Sequence, residues 1–209
     1  LVDRPARTKS YSQHPPIVGL LAGSRRSVAA ANFPRQLEVA DAIKVAFPGA
    51  RFVCPTTAVT DGIVRKIADR RHDLEVKIDA FDELVSRCDL AITVSGTAAL
   101  QTAAWGVPLV VVYYGNPVLW NLLGRWVVKA RTFSLVNILS GQPEHVVPEH
   151  IPWYGPTTPV SDYAIALLKH PERLAAQRKQ LRQIIATIDR PGASRNVAGM
   201  AAELIGRRG

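Results

Sequence analysis

The sequence predicts an α/β fold in which a parallel sheet carries helices on both faces. Three observations predict it. Short, continuously apolar runs recur between residues 16 and 114, and each is followed by a segment with helical spacing. Strands that are apolar at successive positions need cover on both faces, whereas a sheet with one wet face alternates. The connecting segments carry Gly and Pro, which end one element and open the next.

The elements follow in order. "PIVGLLAG" reads as the first strand. A helix is expected over "FPRQLEVADAIKVAF", where Leu37, Ala40, Ile43 and Phe47 share a face and Pro34 suits a first turn. Pro48-Gly49 stops it. "ARFVCP" is strand two, residues 60–71 a helix, "VKID" strand three and "AFDELVSRC" a short helix. "LAITVS" is strand four, "TAALQTAAW" its helix with Gly106 as stop, and "PLVVVYY" strand five. Beyond Asn116 the rhythm changes. "PVLWNLLGRWVVKA" is a candidate helix and "FSLVNIL" a candidate sixth strand, followed by a proline-rich crossing segment. "VSDYAIALLKH" and "PERLAAQRKQLRQIIATID" are two closing helices, with start signals at Ser161 or Asp162 and at Pro171-Glu172. The expected organisation is an extension over 1–15, a Rossmann-like nucleotide-sugar-binding domain over 16–160, and C-terminal helices over 161–209.

At 209 residues, 47% hydrophobic and 21% charged, the chain has ordinary globular composition and enough length for a sizeable core. The net charge of +9 points to an anionic partner. No Lys/Arg-rich recognition helix stands out, which argues against nucleic acid. From Leu90 to Pro143 there is no Asp or Glu at all. Cys54 and Cys88 sit in apolar contexts without zinc-type spacing, so both read as buried thiols. No eighteen-residue apolar run occurs, and the first fifteen residues do not read as a secretory leader. The initial Leu suggests a piece of a longer protein.

Ligands of open parallel sheets bind beyond the carboxyl ends of the strands. Two such ends are unusual here: Gly23, Ser24 and Arg25 after strand one, and Ser95, Gly96 and Thr97 after strand four. Glycine admits close approach to the backbone, a helix N-terminus offers free N–H groups to phosphate, and Arg25 adds a guanidinium. Ser-Gly-Thr alone also reads as a tight turn and cap. Neither a Gly-Lys-Ser/Thr phosphate loop nor a GxGxxG fingerprint is present. Gln101 lies one turn beyond Thr97, where it could reach a ribose diol; it also reads as an ordinary exposed helix residue. Trp120, Arg125, Trp126 and Lys129 give the 117–130 segment an apolar, aromatic and cationic character that suits an anionic membrane surface or acyl chains. The same segment also reads as a helix buried on the sheet. The five histidines show no triad ordering.

These residues carry a resemblance. "LAGSR", "SGTAALQTAAWGVPLVVVYY", "LVNILSG" with the later "VPE", and "GASRNVAGMAAELI" resemble the C-terminal half of the lipid-A-disaccharide synthases, which are GT-B glycosyltransferases. The resemblance covers about residues 16–205. It implies transfer of 2,3-diacylglucosamine from UDP to a lipid-linked sugar phosphate, by a hexosyltransferase peripheral on the cytoplasmic side of the inner membrane, without a metal or other cofactor. It further implies that Gly23, Ser24 and Arg25 meet the donor diphosphate, that Ser95, Gly96 and Thr97 line its other side, and that Asn137 belongs to the donor pocket. The catalytic base and the acceptor site are expected in an N-terminal half or partner chain outside this sequence, without which the chain is expected to be inactive.

The sequence departs from the family pattern. Gln101 stands where Glu is usual, and Val28, Ala29 and Ala30 occupy a region that usually holds an acid. Tyr114 replaces a basic residue, and His150-Ile151-Pro152 follows Glu149. A non-catalytic nucleotide-binding module, or another UDP-sugar enzyme such as an epimerase of related fold, is the alternative.

Overall fold

A computed structural model describes residues 15–114 and 132–188. Through the first five strands the order follows the expected alternation: β1 (Ile17–Leu21), α1 (Arg26–Ala46), β2 (Arg51–Thr56), α2 (Asp61–Ala68), β3 (Leu74–Ile78), α3 (Phe81–Val85), β4 (Leu90–Val94), α4 (Thr97–Ala104) and β5 (Leu109–Val112). Then come α5 (Leu135–Ser140), β6 (Glu149–His150), α6 (Thr158–Lys169) and α7 (Pro171–Ile188).

All six strands are parallel and run in the order β3-β2-β1-β4-β5-β6, the Rossmann-like arrangement. Side chains alternate across the sheet, so β1, β2, β4 and β5 each feed two cores. Val18, Leu20, Ile92 and Val110 join Phe33 and Ile43 of α1 and Leu167 of α6 on one face. Leu21, Ala91, Leu109 and Val111 join Leu84 of α3, Ala99 of α4, Val136 of α5 and Leu181 of α7 on the other. Each fully buried Leu, Ile or Phe contributes about 1.5–3 kcal/mol by leaving water, and that is what fixes two-sided cover.

Gln36 is the polar exception within this core. It is fully buried, and its Nε2 donates to the carbonyls of Leu21 and Ile92, at 3.2 Å each. One amide therefore ties the ends of β1 and β4 together beneath α1.

Three expectations are corrected. The first closing helix, α6, starts at Thr158, with Pro159 in its first turn, rather than at Ser161 or Asp162. "FSLVNIL" is not a sixth strand: residues 135–140 form α5. Ser134 caps it, its hydroxyl accepting from the Val136 N–H, and Gly141 closes it in a left-handed conformation at φ +61°. These local signals outweigh the β-branched character of the segment. Helix α1 starts at Arg26 rather than near Phe33, so Pro34 lies inside it. The run Val28–Ala31 carries the helix, and the missing proline N–H removes one backbone bond without ending it. The 117–130 helix, the 1–14 part of the extension and the closing "GASRNVAGMAAELI" lie outside the described residues.

Candidate functional site

The strand order reverses between β1 and β4, and the crevice that opens there is where such sheets bind ligands. Arg25 is the N-cap of α1 and Gly96 the N-cap of α4. No side chain caps either helix, and neither first turn holds an acidic residue. Each helix start therefore presents main-chain N–H groups and the positive end of its dipole, worth about 0.3–1 kcal/mol to a neighbouring anion.

Both starts open on one cavity of about 590 Å³. Of the donor residues expected from the sequence, Gly23, Ser24, Arg25, Ser95, Gly96, Thr97 and Gln101 all line it. Gly23 adopts φ +99° and Gly96 φ +155°, regions that side chains rarely enter. Space above Gly96 is open: a Cβ built there meets nothing within 4 Å. The Ser95 hydroxyl is committed to structure, donating to the Phe133 carbonyl at 3.0 Å. Thr97, Gln101, Ser24 and Arg25 are exposed toward solvent.

Asn137 is placed differently. It is buried and is not among the residues lining the cavity. Its Nδ2 donates to the Val147 carbonyl at 2.8 Å and to Glu149 Oε1 at 2.6 Å, and its Oδ1 accepts from the Val147 N–H at 2.9 Å. Glu149 also accepts from the N–H groups of Phe133 and Ser134. Together they lock α5 to β6. Trp120, Arg125, Trp126 and Lys129 lie outside the described residues.

Sequence reasoning missed the other half of the cavity. Thr56 and Thr57 at the end of β2, and Asp79 and Phe81 after β3, also line it. The signal was available, since these residues end two further strands on the same sheet edge. The floor here is braced. The Thr56 hydroxyl donates to Asp61 at 2.9 Å, Arg65 Nε donates to both oxygens of Asp61, and Arg65 Nη2 donates to the Val76 carbonyl. The Arg65 hydrogen bond holds the Asp61 carboxyl below the usual carboxylate range. Within β2, burial pushes the Cys54 thiol up to about 12, so it stays protonated and inert. Among the described residues, no three His, Cys, Asp or Glu converge as a metal site, and no helix is long and apolar enough to cross a membrane.

The arrangement has the chemistry to hold an anion: two helix starts and one guanidinium, on a sheet edge free of acids at β1 and β4 among the described residues. The sequence model of the family described as "Lipid-A-disaccharide synthetase" matches residues 4–204. The chain is 31% identical over 194 residues to the lipid-A-disaccharide synthase of Geobacter sulfurreducens, covering 92% of this chain and 50% of that protein. It thus spans about half the length of the curated relatives it matches. Among solved structures it resembles TarM, with a TM-score of 0.56 at 14% identity over 90% of this chain and 34% of that one. It also resembles the UDP-GlcNAc 2-epimerase of Neisseria meningitidis bound to UDP-GlcNAc, with a TM-score of 0.50 at 12% identity over 83% and 44%. At these identities the likeness shows the GT-B type of Rossmann-like fold alone.

Proposed function

This chain belongs to the lipid-A-disaccharide synthetase family, and from that premise we propose that it is the donor-binding half of a glycosyltransferase that moves 2,3-diacylglucosamine from UDP to a lipid-linked sugar phosphate. One observation carries the reading. The turns after β1 and β4, with Arg25, converge on a single cavity at the sheet's switch point. A diphosphate is the ligand that such a corner suits.

The chemistry then divides between two halves. In this half, main-chain N–H groups at the starts of α1 and α4 and the Arg25 guanidinium stabilise negative charge as it develops on the leaving UDP. No metal is required of this half in that account. Among the described residues the cavity has one lining carboxylate, Asp79, at the β3 end, away from the diphosphate corner. The base that activates the acceptor hydroxyl is therefore assigned to the N-terminal half. The basic, Trp-containing 117–130 segment is assigned to the anionic membrane surface that holds an acylated acceptor.

The test is calorimetric titration of the 209-residue chain with UDP. Binding in the micromolar to millimolar range, weakened about tenfold or more in Arg25→Ala, supports the reading; equal affinity in that variant sinks it. A second reading, a nucleotide-binding module without transferase activity, is favoured by Gln101 standing where the family has Glu. Supplying the N-terminal half of a family member and assaying transfer separates the two.

A further inference from the structure

Gln36 sits where α1 has room for an apolar side chain. The buried stripe of the helix runs through Ala29, Phe33, Gln36, Val39, Ala40 and Ile43, and Gln36 is fully buried within it. Its Oε1 has no hydrogen-bond partner among the described residues. A buried acceptor left unpaired is a cost that Leu or Met would avoid, so packing does not account for the amide.

The other end of that amide shows what it does. Nε2 donates to the carbonyls of Leu21 and Ile92, at 3.2 Å each. Leu21 pairs with Thr93 on the last rung of the β1–β4 ladder, and Leu20 with Ile92 on the rung before. Pairing of β1 with β2 stops earlier, at Gly19 and Val53. The last two residues of β1 therefore have β4 alone as a ladder neighbour, and Gln36 spans the two strands there from the α1 side. Gly23 follows two residues after Leu21, and Ser95 three after Ile92, so both turns of the corner hang from this clamp. Gln36 also belongs to the helix that starts at Arg26, ten residues away and about 15 Å along its axis. One side chain thus relates the start of α1, the turn after β1 and the turn that opens α4.

We infer that Gln36 is a positioning residue: it sets the gap between the two helix starts so that both phosphates of a diphosphate are held at once. The inference rests on the diphosphate reading above. The gap matters because the two sets of N–H groups are separate. A monophosphate uses one set. A diphosphate uses both, and its second contact forms at the effective concentration that the first provides. A shift of about 1 Å between the turns loses that second contact while each helix start stays intact.

The test is titration of the 209-residue chain and two variants with UDP and UMP, with thermal unfolding on the same samples. Wild type should bind UDP more tightly than UMP by about tenfold or more, the size expected for one charge-assisted hydrogen bond. Gln36→Met fills similar space without a donor. It should leave UMP within about twofold of wild type and bring the UDP-to-UMP ratio close to one. Gln36→Glu is the rescue. Burial raises a carboxyl, to about 8–9 for a fully buried Glu, so at pH 7 it is protonated and its O–H donates. At pH 9.5 the carboxylate meets the two carbonyl oxygens as one more acceptor. The ratio in this variant should be near that of wild type at pH 7 and lost at pH 9.5, while wild type keeps its ratio at both. An amide that only supports the core would weaken UDP and UMP by the same factor in Gln36→Met; that result overturns the inference, as does an unchanged ratio. If Gln36→Met fails to fold, Gln36→Glu decides, and a ratio indifferent to pH overturns it. If UDP binding depends on Arg25 while the ratio ignores Gln36, only the positioning role falls. If wild type binds no UDP, both fall.

Discussion

Gly23 lies so close to Val94 that a Cβ on it would stand 2.9 Å from the Val94 Cγ2 methyl, and 3.1 Å from Val28 Cγ1. The turn after β1 is thus pressed onto the end of β4, and this contact brings two helix starts to one cavity. Gly23→Ala has to move Val94 or the turn, from a backbone at φ +99° that alanine resists. It should cost about 1–3 kcal/mol in chemical denaturation and abolish detectable UDP binding. Gly62→Ala, where an added Cβ meets nothing, is the control and should leave both within about 1 kcal/mol of wild type.

Arg25 behaves in the opposite way. Its side chain is exposed, and no hydrogen bond or ion pair engages it among the described residues. Arg25→Ala should therefore leave stability within about 0.5 kcal/mol of wild type. UDP affinity should fall by about 1.5–3 kcal/mol, the size of a hydrogen bond to a charged group. Denaturation and titration on the same preparation separate the two effects.

Asn137 is predicted to be a strut. Asn137→Ala strands the buried Val147 N–H and C=O and removes one of the two donors to Glu149 Oε1, which keeps the Ser134 N–H. The expected loss is about 2–3 kcal/mol of stability, with the UDP dissociation constant of the folded protein unchanged. A variant of wild-type stability that no longer binds UDP would return Asn137 to the donor pocket.

Asp61 supplies a pH test. Its hydrogen bond from Arg65 lowers the folded-state pKa below the unfolded value. A depressed carboxyl contributes stability that is complete above the unfolded value, about pH 4, and is lost as pH falls through the folded one. Asp61→Asn should thus be less stable than wild type at pH 7, and the gap should close on acidification toward pH 3. A gap that stays constant with pH would remove the ion pair from the account.

The alternation of apolar runs and helical spacing carried β1, β2, β4 and β5 because each obeys a local rule, near-continuous burial on two faces and then a turn, while β3, with no fully buried residue, was legible from its place in the same rhythm. The last strand obeys none. Glu149 and His150 form β6 only by pairing with Val111 and Val112, and two polar residues carry no period to read. The apolar "FSLVNIL" attracted the strand assignment instead, although Ser134 and Gly141 are a helix start and stop. At the site, the sequence singled out turns whose residue types announce themselves, Gly-Ser-Arg and Ser-Gly-Thr. Thr57, Asp79 and Phe81 are unremarkable locally and acquire meaning only where the sheet order sets β2 and β3 beside β1. Gln36 escaped for the same reason: its two carbonyl partners come from strands far apart in the chain.

The most direct measurement is a crystal structure of this chain grown or soaked with UDP. The account predicts both phosphates against the N–H groups that open α1 and α4, with Arg25 folded onto their oxygens. Phosphate density elsewhere, with that corner filled by protein side chains, would contradict it.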